Sequence, residues 1–218
     1  MHKELGINVT LKVALTLDGK IATASGNSKW ITGEAARNKV HELRNQNDAV
    51  LVGINTVIAD DPELTVRGIA NGNSPDRIIL DSMARIPKNS RVFKNDGTRV
   101  IIITGNKALA REWPNLPDLK ILTSPTRTPE IIWILSELHK LGLNSLLVEG
   151  GSCIYASFLK SSAVDRLVLF IGSKIIGGQD ALSWCGELGV EKLGQAMQIK
   201  ISSITAVGED WLIDGKIK

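Results

Sequence analysis

Apolar and polar residues alternate along the start of the chain. Leu11, Val13, Leu15 and Leu17 fall on one face of an extended segment from Val9 to Leu17, and Lys12, Ala14 and Thr16 fall on the other. This predicts a buried strand. Asp18-Gly19 is a two-residue turn signal, after which Lys20–Thr23 returns as a short strand. Thr32-Gly33-Glu34 opens a helix that runs to about Asn45, with Thr32 as its N-cap. The short apolar run in Asp48–Gly53 (DAVLVG) has the pattern of an interior parallel strand. A short helix starts at Asn55 or Thr56 and ends before Pro62.

Two more interior strands are predicted at Arg77–Asp81 and Arg99–Thr104, and a weaker one at Leu119–Thr123. Pro129–Leu141 reads as a helix with proline in its first turn and Gly142 just past its end. Ser145–Val148 is a strand that runs into Glu149-Gly150-Gly151, followed by a helix over Ser152–Lys160. Val164–Ile171 is a strand, and Ile199–Val207 with Trp211–Ile213 reads as a terminal hairpin. The order predicts an α/β fold: a mostly parallel central sheet with an antiparallel C-terminal hairpin and helices on both faces.

Composition narrows the function classes. No Gly/Ser tract, proline run or block of one charge marks a linker in the 218 residues, so a single domain over residues 1–218 is expected, with 1–8 loosely ordered. The net charge of +3 is too small for a nucleic-acid binder, and no basic run with interleaved aromatics occurs. Two cysteines, Cys153 and Cys185, make neither a disulfide framework nor a zinc motif, which fits a reduced, cytoplasmic setting. The N-terminus has no signal-like apolar region, and no segment reaches the length of a membrane span.

Polar residues gather at the ends of the predicted elements between Leu11 and Arg67, where sites are usually built. Glu149-Gly150-Gly151-Ser152 lies between a strand and a helix, where the backbone is open to a ligand and a helix N-terminus favours phosphate. A tight turn explains the glycine pair equally well, but a carboxylate at the C-terminal end of an interior strand faces the usual ligand edge of such a sheet. Asp60-Asp61-Pro62 reads first as a cap and turn, and without a third ligand it makes no metal site. Lys12, in a strand too apolar for an exposed edge, is expected on the cleft side. Arg44 and Arg67 make an anion clamp if they converge. Trp30, between the hydrogen-bonding residues Ser28 and Thr32, is core filler or packs on a flat ring. His41 and His139 read as surface or satisfied helix residues, and Cys153 as a packing residue.

LDGK, ASGNSKWIT, HELRNQNDAVLVG, NTVIADDPELTVR, RIILDS and LLVEGGS together resemble the reductase domain of riboflavin biosynthesis, over about Val9 to Ile213. That resemblance implies a dihydrofolate reductase-like fold, a homodimer, and NADPH-dependent reduction of a pyrimidine ribosylamino 5′-phosphate to its ribityl product. Position by position, it implies that Ser28, Arg44, Leu64, Arg67 and Glu149 hold the substrate, with the arginines on its phosphate. Ala14, Trp30, Thr56, Asp60, Ser82 and the run Gly151, Ser152, Cys153, Ile154, Tyr155, Ala156 and Ser157 would hold NADPH. Glu149, Lys12 and Asp60 are the candidates for proton handling, and the Gly150–Gly151 bond is expected to be cis. The bifunctional members carry a zinc deaminase domain with HxE and PCxxC. This chain has neither, so a stand-alone reductase or a reductase half is expected. The ASGNSKWIT segment resembles the bacterial form, which takes the uracil substrate; the chain's length resembles the archaeal form, which takes the diamino pyrimidinone. Two rivals stay open: another dihydrofolate reductase-like oxidoreductase, needing no phosphate clamp, and a non-catalytic ligand-binding protein.

Overall fold

The computed structural model describes residues 5–108 and 110–218. In chain order its elements are β1 (Asn8–Thr16), β2 (Lys20–Ala22), α1 (Glu34–Asn45), β3 (Ala49–Gly53), α2 (Ile54–Asp60), β4 (Asp76–Leu80), β5 (Val100–Thr104), β6 (Leu119–Thr123), α3 (Ile131–Lys140), β7 (Ser145–Gly150), α4 (Ser152–Lys160), β8 (Arg166–Gly172), β9 (Leu182–Ser183), β10 (Ile199–Val207) and β11 (Asp210–Ile217). The chain divides into two compact units, one centred on His41–Gly150 and the other made of Val9–Val40 with Gly151–Lys218.

In the first unit β7, β3, β4, β5 and β6 lie side by side, every neighbouring pair parallel. Strands covered on both faces carry apolar residues without alternation, and every residue of β3 and β5 is buried. β4 brings a cation into this core. Arg77 is fully buried; its guanidinium donates to Val92 O at 2.8 Å and also meets Asp96 and Thr98. Helix α3 buries Ile131, Ile134, Leu135 and Leu138, the spacing of one helical face. It ends as the Gly142 signal predicts: with Gly142 at φ 83°, its N–H reaches His139 O and the Leu143 N–H reaches Leu138 O. Of residues 1–8, 1–4 lie outside the described residues; Ile7 is buried, and the Asn8 N–H donates to Asn144 O at 2.8 Å.

In the second unit β1 pairs parallel with β8, and β8 pairs antiparallel with β11, which closes the hairpin with β10. β1 ends one residue early. Thr16 O accepts the Gly19 N–H at 2.9 Å, so the turn starts there and leaves Leu17 exposed. The strand after the turn pairs antiparallel with the short β9, not back onto β1. Lys20 Nζ donates to Ala181 O at 3.1 Å and anchors it. Helix α1 begins at Glu34, and its N-terminal amide at Gly33 donates to Asp210 Oδ2 at 2.6 Å. A carboxylate from β11 thus sits where Thr32 was expected to cap, and it complements the positive end of the helix.

Asp18 ties the first turn to a distant loop. Its carboxylate accepts Thr16 Oγ1–H at 2.5 Å, Gly177 N–H at 2.7 Å and Ile176 N–H at 3.2 Å. These donors, Thr16 foremost, lower its pKa from 3.8 to about 2. A depressed carboxylate stabilises above its unfolded pKa and loses that contribution as pH falls through the folded one. Protection of the Ile176 and Gly177 amides from hydrogen exchange should therefore fade between pH 3.8 and about 2. Asp18→Asn should remove that step; a step of the same size in the variant would rule out the carboxylate as its origin.

Candidate functional site

The first unit gathers a compact ionic cluster at the C-terminal end of β7. Glu149 meets Arg44 of α1 in a two-bond pair, with Nε to Oε1 at 2.6 Å and Nη2 to Oε2 at 2.9 Å. The two side chains are only 12% and 6% exposed. The remaining Arg44 nitrogen, Nη1, donates to Thr65 O at 3.0 Å. Burial works against the guanidinium charge, but Glu149 more than offsets it, and the Arg44 pKa is raised. All three Arg44 nitrogens are thus engaged within the protein. Arg67, on the loop after Thr65, is exposed. Leu64 is buried with φ 57°, a left-handed conformation that a leucine keeps only when its surroundings impose it.

Of the two readings of His41, surface or satisfied, the structure shows the second. It is half-buried, and its Nδ1 lies 3.2 Å from Thr65 O and 3.3 Å from the Arg67 N–H. The signal was present in HELR: His41 stands one turn before Arg44 and shares its face of α1.

Helix α2 brings Thr56 to the end of β7, so tightly that a Cβ on Gly150 would lie 3.0 Å from Thr56 Oγ1. Asp60 is half-buried in the last turn of α2. Its neighbour Asp61 is the cap and turn that the pair suggested: it closes α2 at φ 40°, and its Oδ1 accepts the Arg91 N–H at 2.8 Å. Ser82 follows β4, held between two fixed points. Buried Asp81 accepts the Ile86 N–H at 2.8 Å, and Ser82 O accepts the Gly105 N–H at 3.1 Å.

In the second unit Lys12 and Ala14 are both half-buried on one face of β1. Trp30 is not core filler. It is 63% exposed, with the Arg37 guanidinium 4.6 Å over its ring, and its carbonyl accepts Lys174 Nζ at 2.5 Å. Ser28 is half-buried two residues before it.

Among the described residues the cis bond joins Lys29 to Trp30, and Gly150–Gly151 is trans. The turn into α4 is made instead by Gly151 at φ 90°, which only glycine adopts readily. No side chain caps α4, so its first-turn amides present the positive helix end. That is a fitting seat for a cofactor phosphate. The run Gly151–Ser157 does not act as one surface. Ser152 and Ile154 are half-buried, and Cys153 and Ser157 are exposed. Tyr155 and Ala156 face the core, where Tyr155 Oη donates to Lys12 O at 2.7 Å. A helical period of 3.6 residues cannot turn seven consecutive side chains toward one ligand.

Residues 8–213 match the RibD C-terminal domain family model. Over 212 residues the chain is 37% identical to the 2,5-diamino-6-ribosylamino-4(3H)-pyrimidinone 5′-phosphate reductase of Methanothermobacter thermautotrophicus, covering 96% of this chain and 98% of that protein. A solved diaminohydroxyphosphoribosylaminopyrimidine deaminase/5-amino-6-(5-phosphoribosylamino)uracil reductase from Thermotoga maritima superposes with a TM-score of 0.82 at 34% identity, over 97% of this chain. The chain spans 57% of that longer protein. A dihydrofolate reductase from Enterococcus faecalis shares the fold, with a TM-score of 0.54 at 13% identity over 98% of each chain.

Proposed function

The chain belongs to the RibD C-terminal domain family, and from that premise we propose that it reduces the ribosylamino group of 5-amino-6-(5-phosphoribosylamino)uracil to the ribitylamino product, with NADPH as reductant, in riboflavin biosynthesis. The observation that carries the reading is the Arg44–Glu149 pair beside the loop bearing exposed Arg67, with Glu149 three residues before Ser152, the uncapped start of α4. Arg44 is committed to Glu149 and Thr65, so the anion falls to the exposed Arg67, and the turn into α4 offers a second seat for phosphate.

The sugar ring opens by breaking its C1′–O bond. The ring oxygen gains a proton and C1′ becomes the carbon of an imine. When bound, NADPH would supply the hydride that C1′ accepts, and the imine nitrogen, which gave up its N–H proton as the ring opened, would take up one proton to end as an amine. In the proposed division of labour Arg67 takes the substrate phosphate, and Ser28 and Leu64 bound the sugar and ring. Both Glu149 oxygens accept from Arg44. This favours an orienting role for the pair, leaving Lys12 and Asp60 as the candidates for moving the proton. Ala14, Trp30, Thr56, Asp60, Ser82 and the exposed side of Gly151–Ser157 would hold NADPH, with the Ser152 and Cys153 amides on its phosphates.

The name of the Methanothermobacter relative favours a second reading, in which the same reaction acts on the diamino pyrimidinone. NADPH oxidation followed with the two pyrimidine phosphates in parallel tests both: turnover with one names the substrate, and turnover with neither overturns the proposal. Among the described residues no helix is long and apolar enough to cross a membrane. A cytoplasmic setting is part of the proposal, in keeping with the free thiols of Cys153 and Cys185.

The enzyme is further proposed to be a homodimer. A bulge between Ile201 and Ser203 keeps Ile201 and Ile204 on one face, opposite Gly215 and Ile213, with Ala206 beside Trp211. Ile201, Ile204 and Trp211 are 53%, 54% and 49% exposed, an apolar sheet face suited to a second copy. Ile204→Glu is expected to halve the sedimenting mass without unfolding the chain. A wild-type chain that already sediments as a monomer would sink the dimer.

A further inference from the structure

We propose that His41 is a positioning residue for the phosphate-binding loop, locking the backbone of Arg67 to α1 beside the Arg44–Glu149 pair. This rests on the reductase reading, with Arg67 as the phosphate ligand.

The loop from Leu64 to Arg67 is gripped from one helix face. Arg44 takes Thr65 O at 3.0 Å, and His41, a turn earlier, places Nδ1 between Thr65 O and the Arg67 N–H, at 3.2 and 3.3 Å. One imidazole nitrogen makes one of these bonds at a time: protonated it donates to Thr65 O, and with its lone pair it accepts from Arg67. Thr65 O already has a donor in Arg44, whereas His41 is the acceptor the structure sets against the Arg67 amide. Burial lowers the His41 pKa, and Arg44 and Arg67 act in the same direction against the Thr65 carbonyl and Glu149, so the balance favours the neutral ring, which carries a lone pair.

Leu64 supplies the reason such a lock is needed. Its left-handed φ of 57° is a conformation the chain leaves unless neighbouring contacts hold it. Val66 adds one contact, its N–H donating to Ser74 Oγ at 3.0 Å. The Arg67 side chain is exposed, so its aim depends on the backbone that His41 secures. A guanidinium recognises phosphate through a rigid pair of N–H bonds, and a loosened backbone scatters that geometry.

Two conservative variants separate this role from simple space filling. Asparagine puts its amide oxygen where Nδ1 stands, whereas glutamine reaches the place of Nε2. With NADPH and the pyrimidine phosphate that the wild type turns over, His41→Gln should raise the substrate KM about fivefold, the scale of one lost hydrogen bond. Its kcat and its KM for NADPH should stay near wild type. His41→Asn should restore the substrate KM. Hydrogen exchange at the Arg67 amide should quicken in the glutamine variant and stay slow in the asparagine variant. Equal substrate KM in all three proteins, or Asn and Gln impaired alike, would overturn the role of His41. A wild type that oxidises NADPH with neither pyrimidine phosphate would instead overturn the reductase reading, and the Arg67 amide exchange would still report on the lock.

Discussion

Glu149→Gln is expected to cost about 3 kcal/mol of stability, because it leaves a buried arginine without its counter-charge. Arg44 and Glu149 are 12% and 6% exposed and joined by two bonds, so neither charge has water to turn to. Glutamine keeps the shape but offers one acceptor oxygen and a donor that faces the guanidinium. The kcat/KM for the substrate should fall by more than tenfold, since the pair also fixes Thr65 and through it the loop of Arg67. The double variant Arg44→Met/Glu149→Leu separates the two effects. Removing both charges spares the desolvation penalty, so the denaturation midpoint should recover most of the loss while activity stays low. A single Glu149→Gln variant with the wild-type midpoint would mean that the pair carries no such energy. One with the wild-type kcat/KM would remove the pair from the orienting role.

The pair also marks where the sequence was readable. Apolar runs buried on both faces, such as Ala49–Gly53 and Val100–Thr104, have a composition that few other environments tolerate, and both are strands. Gly142 ended its helix as predicted because that signal is local. What stayed hidden depends on partners far along the chain. The acceptor for Gly33 is Asp210, 177 residues away, so a nearby threonine looked like the cap. β2 is three residues long, and its partner β9 has two, too little pattern to fix a pairing. Glu149 and Arg44 could each be singled out, but the bond between them spans 105 residues. Once formed, that bond turns two separate candidates into one device. Helical rotation likewise splits Gly151–Ser157: adjacency made the run look like one surface, yet Tyr155 and Ala156 turn inward.

Gly151→Ala should raise the KM for NADPH by about tenfold, because a side chain at φ 90° and ψ 131° is strained by roughly 1–3 kcal/mol. The chain would relieve that strain by rotating the peptide ahead of α4, which swings the first-turn amides away from the phosphate they are proposed to hold. The substrate KM should move much less, since Arg44, Arg67 and Glu149 lie before the altered turn. Gly97→Ala is the matched control: φ is 81° there and an added Cβ meets nothing within 4 Å, so backbone strain arises without a ligand nearby. Both variants should lose stability, and only Gly151→Ala should lose cofactor affinity. If the two change NADPH binding equally, the effect belongs to stability and α4 does not seat the cofactor phosphate. If neither changes it, the fit of the uncapped helix to a phosphate is coincidental, and the binding energy must come from Thr56, Ser82 and the exposed Trp30 instead.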